Sequence, residues 1–500
     1  MAPKFERRCM NTLNPKWCLT GSLGALLAAC MVGPAYHRPS APVPAQYKEL
    51  PGWTAAAPAD GAPKGDWWTE FHDPLLDQLE PMVAVSNQTV RQSYENYQQA
   101  LAEVRVARAQ FFPTLGITGT ATRSGGPGYT GTGAASATSN GVRDSASLQG
   151  TASWTLDLWG QVRRLIEENA AIAQSDEAVL ANATLSEQTL LATTVIELRM
   201  ADANIDLQQR TVDAYRESLR VTKAQGTVGI AATPPSAVIT AQVALESAGA
   251  ALIGLGVARA QYAHAIAVLV GKNPEDLDIP HSQGVPTLPE IPAGVPSTLL
   301  ERRPDIAAAE RTMKAQNAAV GVAVAAYYPT LSLSGSAGFS QSPLQGLLQT
   351  ANHVWSIGAN GTETVFDFGE RHAEVRAAKA AYEAAVASYR NTVLNAFEDV
   401  ENDLSGLRIL ADQAKALDTA VHDATRGAEI ALAEFQAGTV DYTTVAVAQE
   451  TQLSDQQSAL SVEESRLAAA VSLIGDLGGG WSYGQLHDPE VWRQPEQELR

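Results

Sequence analysis

The sequence predicts an α+β membrane protein in which very long, coiled-coil-like helices carry four two-faced β-strands, too few for one chain to close a barrel. Three observations lead there. A helical pattern stops at a proline and gives way to a strictly alternating strand twice, at FFPTLGITGTAT (Phe111–Thr122) and YYPTLSLSGSAG (Tyr327–Gly338). Apolar residues recur at seven-residue intervals through stretches with no proline, the pattern of helices packed lengthwise. Finally, an open sheet edge is not tolerated in lipid, so strands that enter a membrane must be pooled between copies.

Charge and cysteine usage narrow the class. The 500 residues carry a formal net charge of -19, a poor composition for a nucleic-acid binder, because phosphate contacts need clustered Lys and Arg. No window reaches the roughly 18 to 20 consecutive apolar residues of a membrane-spanning helix. The cysteines are Cys9, Cys18 and Cys30, all near the N-terminus, so a disulfide framework in the body is excluded. Residues 1–29 read as a signal peptide, with basic residues, an apolar run from Trp17 to Ala29 and a small-residue exit. LAAC, Leu27–Cys30, resembles the bacterial lipobox, in which cleavage precedes a cysteine that receives lipid. The following residue, Met31, is not Asp, which by that resemblance favours outer-membrane sorting.

Residues 30–68 are rich in Pro, Ala and Gly and read as an extended, lipid-anchored arm. A first repeat spans residues 69–271. WWTEFHDPLLDQLE (Trp67–Glu80) opens helical structure, and Val83, Val90, Tyr97, Val104 and Phe111 then recur at sevens with Ser86, Ser93, Ala100 and Ala107 as small companions. After Pro113, Leu115, Ile117, Gly119 and Ala121 alternate with threonines and glycine, the period of a strand with one apolar and one wet face. Gly125 to Asp144 reads as a flexible loop. The return strand places Ala146, Leu148, Gly150, Ala152, Trp154 and Leu156 on one face, and Trp154 and Trp159 suit an interfacial aromatic girdle. No proline interrupts Gln161 to Gln225, a helix of about 100 Å at 1.5 Å per residue, with Leu191, Leu198, Ile205, Val212 and Leu219 at sevens. A turn at Gly226–Pro235 leads to a return helix in which Arg259 interrupts the apolar row.

Residues 272–296 form a proline-rich connector, and residues 297–475 replay the scheme. A helix from Ser297 to Tyr328 precedes the strand after Pro329; a fourth strand is expected near Trp355–Phe366, with Glu363 anomalous on its apolar face as a membrane edge or a bulge. A long helix from Glu370 to Gln436, a turn at Gly438–Asp441 and a return helix with Leu453, Leu460, Leu467 and Ile474 complete the repeat, and residues 476–500 form a tail.

Four strands per chain give eight from two copies or twelve from three, and only the larger number leaves an open lumen. The architecture argues for a conduit.

In order and spacing, CMVGPAYHRP (Cys30–Pro39), LDLWGQVRR (Leu156–Arg164), LLERRPDIAAAE (Leu299–Glu310), VFDFGERH (Val365–His372), TVLNAFEDVEN (Thr392–Asn402) and the Gly-Gly-Gly-Trp ending at Trp481 resemble the outer membrane factor family. These are the TolC-like ducts, and the likeness is to their NodT/OprM-like lipoprotein branch over essentially the whole chain after the signal peptide. The resemblance implies a TolC-like fold: a periplasmic helical barrel below a 12-stranded outer-membrane barrel shared by a homotrimer. It also implies an equatorial belt, a periplasmic adaptor, an inner-membrane RND-type pump and passive export of small toxic compounds or drugs. By position, the periplasmic gate falls on Val440, Thr444 and Val447, and the adaptor-docking helix tips on Gly226, Gly438 and Thr439. Val447 stands where relatives commonly carry Asp, which implies an apolar constriction in place of an acidic ring.

Signals for catalysis are weak. Asp367-Phe368-Gly369 spells a kinase tripeptide without the nucleotide loop or catalytic loop that would accompany it, and reads as a strand-to-helix corner. The eight histidines show no close ligand spacing. Glu398, Asp399, Glu401 and Asp403 read as a solvated or lumen-facing side of a helix. The expectation is a non-enzymatic protein with no cofactor or metal beyond a lipid on Cys30. Alternatives are a duct for secreted polypeptides and, in a different class, a lipid-anchored periplasmic coiled-coil scaffold.

Overall fold

The computed structural model describes residues 31–41, 43–44, 46–49, 66–125, 142–228, 234–289, 299–341 and 346–489. The signal peptide, Cys30, most of the first hairpin loop and the last eleven residues lie outside them. A 3-10 turn, Trp67–Phe71, leads into α1 (Pro74–Ser86), α2 (Gln88–Ala109), β1 (Thr114–Gly125), β2 (Val142–Leu156), α3 (Gln161–Val228) and α4 (Pro235–Leu269). One turn at Leu299–Arg302 precedes α5 (Pro304–Ala325), β3 (Thr330–Gln341), β4 (His353–Thr362), α6 (Glu370–Gln436) and α7 (Tyr442–Asp476). The four strands form one antiparallel sheet in the order β1-β2-β3-β4.

The helices follow the seams read from the sequence. Leu191, Leu198, Val212 and Leu219 on α3 are buried, as are Val393, Phe397, Val400, Leu404 and Leu407 on α6. α3 has 68 residues and α6 has 67, each about 100 Å long. α4 returns along α3, α7 returns along α6, and α5 lies between α3 and α6. The main core gathers Leu76, Leu198, Ile266, Ile306, Val393 and Leu467 from six helices.

Several boundaries differ from expectation. The helix through Val83 and Val90 is two helices, because Asn87 is extended (ψ 131°) and caps the second: its side chain accepts from Thr89 N and Val90 N. Its amide also donates to Leu269 O and Glu187, each at 2.9 Å, so the break is fixed by two distant segments. Phe111 falls beyond the helix end. The helix expected from Ser297 to Tyr328 is interrupted at Arg303, whose extended backbone precedes Pro304 at the first turn of α5. α3 continues through Gly226 to Val228, so that glycine is helical. β4 begins at His353 and ends at Thr362, which leaves Glu363 outside the strand and paired with Arg371 at 3.1 Å. That ion pair, not a bulge, explains the anomalous charge.

The hydropathy expectation also needs correction. Within α4, Pro235–Leu269, an 18-residue window has a mean hydropathy of 1.6, enough by length and composition to cross a membrane. Yet α4 lies against α3, with Arg259 Nε 2.6 Å from Asp202 and Gln208 Nε2 donating to Ala248 O at 3.0 Å. Its outer side exposes Ile239, Val243, Ile253, Val257 and Val268.

Candidate functional site

The sheet keeps its two faces in register across all four strands. Leu115 lies opposite Ala152, Ile117 opposite Gly150 and Gly119 opposite Leu148; Leu148 then meets Phe339, Trp154 meets Leu333, and Ala337 meets Trp355. A one-residue slip anywhere would invert a strand, so this continuity is specified by the sequence. The apolar face is bare in the single chain, with Leu115 81%, Ile117 84% and Ile357 83% exposed. The other face is a field of hydroxyls that bond across strands: Thr114 to Ser153 at 2.7 Å, Thr120 to Ser147 at 2.6 Å and Ser336 to Ser356 at 2.9 Å. Among the described residues, the outer edges of β1 and β4 have no strand beside them.

Both prolines stand where helix passes to strand, and the aromatic residues gather at that end. Trp154 Nε1 donates to Phe111 O and Trp159 Nε1 to Pro329 O, each at 2.8 Å. The Trp159 ring stacks on Tyr328 at 4.9 Å. The return from strand to helix is made by the same device twice. Asp157 accepts from Val162 N and Arg163 N and pairs with Arg163 Nε at 3.0 Å. Asp367 accepts from Gly369 N at 2.9 Å and from Arg371 Nε at 2.6 Å. The Asp-Phe-Gly tripeptide is therefore a corner, tight enough to hold Phe368 at φ 52°.

The arm is tied to this corner. Val32 N donates to Trp159 O at 3.1 Å, and Arg164 donates to Val32 O at 3.1 Å and Gly33 O at 3.2 Å. Gly33, at φ +94°, lies against Gly321 so closely that a Cβ would stand 2.5 Å from the Gly321 Cα. Farther along, Tyr36 donates to Glu310 and Arg38 to Tyr389 Oη at 3.1 Å. Met31, next to Cys30, touches Gly160 at the β2–α3 corner; Cys30 itself lies outside the described residues.

At the far end of the helices, Gly438 turns the chain at φ 75°, and Asp441 caps α7 by accepting from Thr444 N at 3.1 Å. Phe435, Tyr442 and Val445 are buried with Leu219, Ala237 and Ala241, and Val440 packs against this cluster. Thr439, Thr444 and Val447 are exposed. Gln225 Nε2 donates to Phe435 O at 2.9 Å and Gln449 Nε2 to Ser218 Oγ at 3.1 Å, which joins the tips of the two helix pairs. Periodicity could not single out Gln225, Ser218 or Gln449, because polar residues on heptad seams look like interruptions until their partners are known.

The carboxylates on α6 do not form a solvated face. Glu398 is exposed, but Glu401 accepts from Lys48 N at 2.6 Å and Glu49 N at 3.0 Å. Asp399 and Asp403 join Arg303, Asp305 and Asp476 in a half-buried junction. Burial and the adjacent Asp476 and Asp399 push the Asp403 carboxyl up to about 8, against the pull of Arg303. Glu80 is fully buried, which raises its carboxyl to about 9. Arg199 pairs with Asp73 at 2.7 Å in the core. His281 bridges Asp202 and Asp206 at 3.0 Å each and so fastens the connector to α3. Among the described residues, no three His, Cys, Asp or Glu converge to hold a metal ion.

Comparison with known proteins agrees with this geometry. The family model described as "Outer membrane efflux protein" matches residues 81–272 and 295–479. The probable efflux pump outer membrane protein TtgC of Pseudomonas putida is 31% identical over 91% of this chain and 94% of its own. Outer membrane protein OprJ of Pseudomonas aeruginosa is 30% identical over 94% of this chain and 98% of its own. The solved structure of the outer-membrane channel OprN superposes with a TM-score of 0.82 at 29% identity, over 90% of this chain and all of that one. The chain belongs to the outer membrane efflux protein family and has the fold of its TolC-like channels.

Proposed function

We propose that the chain is the outer-membrane duct of a tripartite efflux pump, a homotrimer that passes small toxic compounds from periplasm to exterior and catalyses no reaction. The observation that carries this reading is the sheet: one unbroken apolar face, one hydroxyl face and two open edges. Three copies would join β4 of one chain to β1 of the next, turn the apolar faces to lipid and enclose a wet bore. The exposed apolar side of α4 is then covered by a neighbouring copy below the membrane. A scaffold without a channel leaves both features unused.

Lipid on Cys30 anchors the arm, a reading supported by the docking of Met31 at the β2–α3 corner, where the sheet begins. The tips at Gly226, Gly438 and Thr439 meet a periplasmic adaptor, and an RND-type pump in the inner membrane supplies the energy. Thr444 and Val447 line the closed end, with Val440 bracing it from the cluster behind. The test is a detergent-extracted, heat-modifiable trimer that conducts in a planar bilayer; a monomer that conducts nothing overturns the reading. Val447→Asp should change single-channel conductance, and unchanged conductance together with unchanged export removes this residue from the constriction.

A further inference from the structure

The base of the α6–α7 hairpin meets the start of α5 at a set of carboxyls with one guanidinium among them. Asp476 is the last residue of α7, Asp399 and Asp403 are one turn apart on α6, and Arg303 caps α5. Arg303 bonds Asp305 through two nitrogens at 2.8 and 3.1 Å, reaches Asp476 Oδ1 at 3.0 Å and stands 3.6 Å from Asp399. Asp403 is within hydrogen-bonding reach of Asp476, while its Oδ2 is buried without a partner. From the arm, buried Tyr47 stands beside Glu401 and Arg303, and Glu49 is held by Arg408 at 2.7 Å. Arg303 therefore faces four carboxyls and is already committed to one of them. Two carboxyls in contact there cannot both ionise without strong repulsion.

We propose that a proton shared by Asp403 and Asp476 locks the base of the α6–α7 hairpin, and that its loss loosens the hairpin and eases opening at the Gly438 tip. Burial raises both groups, with Asp399 adding to each, and Asp476 helps carry Asp403 to about 8. The locked form thus keeps a proton that a separated, hydrated pair releases in the ordinary carboxylate range near pH 4. The lock is complete at low pH, weakens as pH rises and is lost through about pH 8, where Asp403 ionises in place. α7 transmits the change as a lever: Val447 lies on the same helix about 44 Å from Asp476 at 1.5 Å per residue, so a slight tilt at the base displaces the tip.

The coupling to the tip rests on the gate reading; the lock itself does not. The experiment uses the full lipidated protein. Amide exchange of residues 399–405 and 470–478, corrected for intrinsic chemistry, should lose protection by up to about tenfold per pH unit between pH 6 and 8 and level off above. Asp403→Asn, neutral at every pH, should abolish that dependence. A pH-independent wild type, or an Asp403→Asn protein that keeps the wild-type slope, overturns the lock. In planar bilayers the open probability should rise over the same range in the wild type and stay flat in Asp403→Asn. An exchange step without any conductance step overturns the coupling to the tip. A protein that shows the exchange step yet conducts at no pH supports the lock and counts against the duct.

Discussion

Arg199 and Asp73 show how a single buried contact serves two ends. Asp73 caps α1 by accepting from Leu75 N at 2.7 Å, and it receives Arg199 of α3 at 2.7 and 3.1 Å. Removing one partner strands the other in the core, so Arg199→Ala should cost about 3 to 5 kcal/mol. The check is thermal unfolding of the purified protein, and Asp73→Asn combined with Arg199→Met should recover much of the loss. At this scale the sequence was legible only in part. Pro304 and Asp305, which follow Arg303, announced a helix start, but the reach of Arg303 to Asp399 and Asp476 depends on residues far away in the chain. Likewise Asp399 and Asp403 looked like one side of a wet helix, since periodicity does not reveal that α5 and the end of α7 arrive there.

Among the elements, the strands were the most legible and the helix breaks the least. A period of two carries its own register, so the faces of β1, β2 and β3 could be assigned before any pairing was known. Asn87 preserves the seven-residue row of Val83 and Val90 while ending one helix and capping the next; its partners Leu269 O and Glu187 belong to other segments. The strand faces give a paired prediction. Ile117→Lys on the apolar face should cost about 2 to 4 kcal/mol near the bilayer midplane, whereas Thr118→Lys on the hydroxyl face should be tolerated. The yield of heat-modifiable trimer reads both, and equal loss in the two variants would contradict the assignment of faces.

For the whole molecule, the arm's packing is separable from the proposed lipid site. Its contacts through Val32, Gly33, Tyr36 and Arg38 involve no cysteine. Cys30→Ser should therefore lose its acyl label while the trimer still forms, and label retained in that variant would remove Cys30 as the lipid site. The long-range plan of two matched halves was visible in the sequence because each half repeats the same order of periodicities. Where the helix tips join was not, since that depends on surfaces that meet only after folding.

The corner made by Asp157 with Arg163 and again by Asp367 with Arg371 divides the chain into two halves of like plan. A chain of half this length, with one such corner and one hairpin, would need six identical copies to supply twelve strands. The two halves share the corner and differ elsewhere: the first carries the apolar helix α4, the second the carboxyl junction at Asp403. In the proposed trimer, alternate positions around the ring would be alike in shape and unlike in chemistry, so a protein docking on it would meet two kinds of groove.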